Sequence, residues 1–169
     1  MRDISLIRFI ITLKGVKQMK AVCFIGHSNC DTNKIQTTLN TVIQQLIDNE
    51  YTNFYVGTHG DFDSCVLNML KQFRKLYKNI KIFAVMTSFS PLIKKNDSSG
   101  KIYSSDFELC SFEIEEIHFK RQIIVSNQKM IDLCDTLVCY VDELRNYSGA
   151  KLALKYAKHK QLRIINLFM

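Results

Sequence analysis

The chain has 169 residues, of which 47% are apolar and 23% charged, proportions that fit one globular domain with a real core. One proline and six glycines exclude a long linker or a low-complexity tail, and no internal repeat is present. The formal charge of +7 invites an anionic partner, but residues 1–18 supply about +3 of it, and the rest is scattered without an aromatic-interleaved basic stripe, which disfavours nucleic acid.

Residues 1–18 stand apart. The run ISLIRFIITL is ten residues long and interrupted by Arg8, short of the roughly twenty needed to span a bilayer. No small-residue cleavage site follows it, so neither a membrane span nor a signal peptide is expected. KGVKQM back-translates to a purine-rich AAGGAG ribosome-binding sequence just ahead of Met19. Residues 1–18 are therefore expected to be translated leader, with 19–169 forming a single domain. The alternative is a short extra strand or helix packed on that domain.

From Lys20 the pattern alternates. Lys20 to Ile25 reads as a strand, and Thr32 to Asp48 carries Ile35, Leu39, Val42, Ile43, Leu46 and Ile47 at helical spacing. Asn53 to Val56 predicts a second strand, and Phe62 to Tyr77 a second helix with Asp61 as its N-cap. Ile80 to Met86 predicts a third strand. Residues 87–117 are loop-like in composition, with a brief extended segment at Phe112 to Ile117. A short helix at Val125 to Leu133, a strand at Thr136 to Val141, a helix at Gly149 to Lys158 and a strand at Arg163 to Phe168 complete the order.

Strands alternating with helices predict an α/β three-layer sandwich, a mostly parallel sheet of about five strands covered on both faces. Right-handed crossovers then collect every strand-to-helix turn at the carboxyl edge, where ligands bind in such sheets. That edge carries Gly26, His27, Ser28, Gly57, Thr58, His59, Asp61, Thr87 and the stretch from Asp142 to Gly149. Asp142 at the fourth strand's tip is a candidate for holding a ribose or a metal-bound water. Tyr140 is a candidate for stacking on a base, with a core role as the alternative.

The six cysteines lie mostly in strand-like and helical patterns, without a CxxC pair, and read as free thiols in a reducing cytoplasm. No second ligand pair with metal-site spacing accompanies His27 and Cys30 or His59 and Cys65, so no metal is expected. His118 reads as structural and His159 as a solvated cation at a helix end.

FIGHSN, VGTHGDFD, KLYKNIKIFAV, NQKMIDLCDTLVCYVD and SGAKLALKYAKHKQLRIINLF, in this order, resemble the SLOG superfamily, in particular its small bacterial proteins of unassigned function. The resemblance runs from Lys20 to Phe168. It implies a Rossmann-like fold and a nucleotide or nucleotide-derived ligand. It points to Gly26, His27, Ser28, Gly57, Asp63, Ser148 and Gly149 as ligand-binding residues, with Thr58 and Asp142 added from their place at the edge.

Glycine at a strand tip lets backbone N–H groups approach an anion, and Ser148-Gly149 opens a helix whose first N–H groups and dipole favour one. Asp63 has two readings: a ribose hydroxyl acceptor or a cap of its own helix. The phosphoribohydrolase branch of the family resembles P-G-G-x-G-T-x-x-E at the last helix. Here YSGAKLALKYA has no such glutamate, so no catalytic residue is assigned and hydrolysis of an N-glycosidic or phosphoester bond is the alternative function. Ser126 stands before Asn127 where related members place arginine, leaving Arg121 or Lys120 as replacements. The expectation is a cytoplasmic binder of a small nucleotide derivative, a sensor in type, with no assigned cofactor and a homodimer left open; a single-stranded nucleic-acid binder is the weaker alternative.

Overall fold

In the computed structural model the residues described are 20–87, 107–112 and 118–169. Residues 1–18, read above as leader, lie outside them. The order is β1 (Lys20–Gly26), α1 (Thr32–Asp48), β2 (Tyr51–Val56), α2 (Asp61–Leu76), β3 (Lys81–Met86), β4 (Glu108–Ser111), α3 (Phe119–Asp132), β5 (Thr136–Tyr140), α4 (Gly149–His159) and β6 (Arg163–Asn166).

The described strands form one sheet of six in the order β4-β3-β2-β1-β5-β6, and every pairing is parallel. Helices lie on both faces. On one side α1 and α2 bury Ile35, Leu39, Ile43, Phe62, Val66 and Leu70 against Val22, Phe24, Phe54 and Ile82. On the other, Met130 and Ile131 of α3 and Ala153, Leu154 and Ala157 of α4 pack on Cys23, Ile25, Leu137 and Cys139. Because β1 is covered on both sides, Ala21 to Ile25 are all buried, which is why they read as a continuous apolar run rather than an alternating one. Each large side chain so buried contributes roughly 1.5–3 kcal/mol of transfer free energy.

Three expectations change. The sheet has six strands, not about five, because Glu108–Ser111 joins its edge beside β3; of the brief extended segment expected at Phe112 to Ile117, residues 113–117 lie outside the described set. Glu108, Leu109 and Ser111 are exposed, so this edge strand carries no apolar run to reveal it. Helix α3 starts at Phe119 rather than Val125, its first turns masked in the sequence by the β-branched triplet Ile123-Ile124-Val125. Gly60, not Asp61, is the N-cap of α2; its φ of +102° suits glycine, and a Cβ there would lie 2.5 Å from the Ser28 Cα.

All six cysteines are free thiols, with Cys23, Cys30, Cys134 and Cys139 buried. Among the described residues no helix is long and apolar enough to cross a membrane.

Candidate functional site

The chain builds outward from β1 to β4 and then returns to lay β5 on the other side of β1. The strand order therefore reverses between β1 and β5, and their carboxyl ends flank the position where such sheets usually open a crevice. Here that crevice is stitched shut. The His27 N–H donates to the Tyr140 carbonyl at 3.1 Å, extending the ladder beyond the strand end. The His27 ring then turns across the gap, and Nε2 accepts the Asp142 N–H at 3.0 Å.

That bond fixes the tautomer: Nε2 offers its lone pair, so the neutral ring carries its proton on Nδ1. Burial, and next the charge of Arg145, hold the His27 pKa below its ordinary value, with Asp142 opposing. Asp142 is committed as well, its Oδ1 accepting the Leu144 N–H at 2.9 Å. The Tyr140 ring is enclosed by Phe62, 6.1 Å away and stacked, and by Phe168, 5.2 Å away and edge-on.

One strand over, the edge is open. A cavity of about 40 Å³ is bounded by Gly26 at the tip of β1, Gly57 after β2, His59, Asp63 of α2, Thr87 after β3, and Ser126 and Asn127 of α3. The two glycines make it in different ways. A Cβ at Gly26 would lie 2.5 Å from the Phe62 ring, and one at Gly57 2.5 Å from Asp63 Oδ2. Gly26 thus admits a core aromatic, whereas Gly57 admits a carboxyl group.

Asp63 occupies the third position of α2 and reaches back, its Oδ2 accepting the His59 N–H at 2.9 Å. This is a capping-box geometry displaced by one residue. The acid is 7% exposed, and burial pushes its pKa up to about 7 against the opposing effect of the His59 hydrogen bond. His59 Nε2 lies 2.7 Å from Thr87 Oγ1, and burial holds the His59 pKa below its ordinary value. Thr58 ties the β2 turn to β3, donating from Oγ1 to the Val85 carbonyl at 3.1 Å.

The turns expected to converge do so in part. Gly26, Gly57 and Asp63 share the cavity. Exposed Ser28 locks the first turn to the second, its carbonyl accepting the Asp61 N–H at 2.8 Å. Ser148 caps α4, its Oγ accepting the Lys151 N–H at 3.0 Å, but it lines a separate hollow with Tyr147, Lys155 and Lys158. A Cβ at Gly149 would meet nothing within 4 Å. Lys151 is spent on the loop before its helix, donating to the carbonyls of Glu143 at 2.7 Å and Arg145 at 2.8 Å.

Gly60, Thr87 and Asn127 complete the edge without having been named as ligand residues; the positive φ of Gly60 was the one trait visible in principle, through the Gly-Asp step that opens α2. A larger groove of about 730 Å³ between α1 and α2 is lined mostly by neutral side chains such as Asn33, Gln36, Asn68 and Gln72, with Asp61 at the start of α2, and holds none of the residues assigned above to ligand binding. Among the described residues no three His, Cys, Asp or Glu side chains gather as a metal site.

No family model matches the chain, and no curated protein does. Among solved structures it is similar to DNA processing protein A from Helicobacter pylori, described for its single-stranded DNA binding mode. The TM-score is 0.56 at 14% identity over 87% of this chain. The chain spans 64% of that protein, just under two thirds of it. It is also similar to the Moco carrier protein from Chlamydomonas reinhardtii, with a TM-score of 0.51 at 11% identity, covering 88% of this chain and 76% of that one. At such identities the likeness is one of fold. It defines a Rossmann-like α/β protein.

Proposed function

We propose that this is a SLOG-type protein of the bacterial cytoplasm that binds a small nucleotide-derived ligand at the carboxyl edge of its sheet, as a sensor rather than a catalyst. The observation that carries this reading is the polar cavity at the tips of β1, β2 and β3, where Gly57 makes room for a buried carboxyl group that has not used all its hydrogen-bonding capacity. One end of the ligand enters there. A phosphate fits the start of α4, where Gly149 leaves open space before free N–H groups.

A panel of nucleosides, nucleotides and cyclic nucleotides tests it by thermal unfolding and product analysis. A ligand held at a hundred times its Kd stabilises by about 2.7 kcal/mol, which for a chain of this size raises Tm by several degrees. A rise without turnover supports the binder. Turnover would replace it with the hydrolase reading, and no response from any member would remove it.

The fold neighbour that binds single-stranded DNA keeps a second reading in play. The Lys151, Lys155 and Lys158 stripe of α4 offers it limited help, because Lys151 is bound to carbonyls and Lys158 pairs with Glu143 at 2.7 Å. An oligonucleotide that alone raises Tm, with an effect falling steeply in salt, would select this reading.

A further inference from the structure

The cavity at the β1–β3 tips holds a group whose bonding is incomplete. Asp63 is 7% exposed, its Oδ2 accepts the His59 N–H, and its Oδ1 makes no hydrogen bond among the described residues. Among the described residues the fully buried side-chain atoms left without a partner are Thr52 Oγ1 and Asn53 Oδ1; Asp63 Oδ1 is not one of them, so it is reachable, and no described lining residue brings a positive charge to answer its own. The space beside it, about 40 Å³, slightly exceeds the roughly 30 Å³ that one water occupies in the liquid. It is far below the roughly 300 Å³ at which pockets enclose a whole small molecule. It takes an end group.

The lining selects which end group. Gly26 from β1, Gly57 after β2, Thr87 after β3, and Ser126 and Asn127 from α3 bring no titratable side chain to Asp63. His59, before α2, is the other titratable lining residue described, and burial favours its neutral form while it bonds Thr87. Among the described lining residues no cation therefore meets a phosphate, and the ionised acid repels one. A nitrogen bearing hydrogens supplies what is missing. It donates to Oδ1, and where it is cationic it adds the charge-assisted bond that an O–H group cannot.

We propose that this cavity recognises the N–H donor end of a ligand, an amino or amidine-type group set on Asp63 Oδ1, and excludes phosphate from the same place. The inference rests on the carboxyl edge being the ligand site and adds the chemistry of the group that enters it. It also couples binding to protons. An N–H donor needs the ionised acid, so with a carboxyl pKa near 7 binding expels a proton and tightens as pH rises. A phosphate or carbonyl end would need the protonated acid and give the opposite slope.

Methylguanidinium and inorganic phosphate are the probes, followed on the full chain through the backbone amide signals of His59 and Asn127 and the carboxyl carbon of Asp63. Methylguanidinium affinity should rise about tenfold between pH 6 and pH 8, following the ionised fraction of an acid titrating near 7. The Asp63 titration should move downward on saturation, phosphate should leave these signals unmoved, and Asp63→Asn should abolish the pH slope. Should that variant fail to fold, the wild-type carboxyl titration decides alone.

Affinity that is flat or falls with pH, phosphate perturbing the same signals, or an Asp63 titration unmoved by the probe overturns the inference. Nucleotides that bind with a flat pH dependence would remove this inference and leave the nucleotide reading. Methylguanidinium binding on schedule while every nucleotide fails would do the reverse.

Discussion

Gly26 and His27 are neighbours in the chain, yet they belong to two regions built on opposite plans. At the β1–β5 crevice two bonds tie the strand ends together, the His27 N–H donating to the Tyr140 carbonyl and His27 Nε2 accepting the Asp142 N–H, while Asp142 Oδ1 accepts the Leu144 N–H. At the β1–β3 cavity Asp63 uses one oxygen on the His59 N–H, and its other oxygen has no partner among the described residues. The position where such folds usually open is thus bridged by a histidine, and the cavity lies one strand away. Topology says which edge of a sheet is available; the hydrogen-bond account says which gap along that edge is still open.

The two regions also respond to acid in opposite senses. Asp63 has a native pKa of about 7, above the 3.8 of a free carboxyl group, so the native state binds the extra proton between these values. The stability linked to it is complete below about pH 4 and is lost as pH rises through 7. Asp63→Asn, which copies the protonated acid, should therefore match the wild type near pH 4 and exceed it by up to about 4 kcal/mol above pH 7. Urea unfolding at pH 4.5 and pH 8 measures this. Equal stabilities at pH 8 would mean that the charge is compensated and that the cavity is not the unsatisfied region.

Alanine at either glycine should come next in size. In Gly26→Ala the new methyl group meets the fully buried Phe62 ring, and in Gly57→Ala it meets Asp63 Oδ2. Overpacking of this kind costs about 1–3 kcal/mol. The comparison sharpens in the double variants, measured by the same unfolding assay. Asp63→Ala should relieve the penalty of Gly57→Ala and leave that of Gly26→Ala intact, because only the first pair shares a contact. Additivity in both would refute the distinct roles assigned to the two glycines.

His27→Ala should cost about 1–2 kcal/mol at pH 7.5 by leaving the Asp142 N–H unpaired. His27 has a depressed native pKa, so its contribution is complete above the unfolded value of about 6.5 and is lost as pH falls below it, when a protonated Nε2 can no longer accept. The wild type should lose stability on this side of the titration, and the variant should lose less. An unchanged acid limb in His27→Ala would break the assignment of the crevice to this ring.

The sequence makes the sheet legible because the strands of a doubly covered sheet are apolar on both faces, as Ala21–Ile25 and Leu137–Cys139 are. It hides β4, an edge strand of exposed residues, and the first turns of α3, where Gln122 is buried among β-branched neighbours. The edge residues were legible as a set, because glycine and polar side chains at strand tips have few other uses. Their division of labour was not. Whether a histidine closes a gap or meets a ligand depends on which N–H lies 3.0 Å from its ring, and that N–H belongs to a residue more than a hundred positions away. Of the two readings of Asp63, the structure shows the one in which the acid secures its own turn, through Oδ2 on the His59 N–H.

The smallest effect separates the start of α4 from both regions. Gly149 has open space where a Cβ would go and a backbone without positive φ, so Gly149→Ala should raise stability by about 0.4–1 kcal/mol through the lost freedom of the unfolded chain. Ser148→Ala, which removes the acceptor for the Lys151 N–H, should lower it by about 1 kcal/mol. In the presence of a phosphorylated ligand the first variant should keep its gain in the free protein yet respond more weakly to the ligand, because a methyl group now stands in the space an anion would use. An undiminished ligand response in Gly149→Ala would place the phosphate elsewhere and leave the β1–β3 cavity as the sole recognition element at the edge.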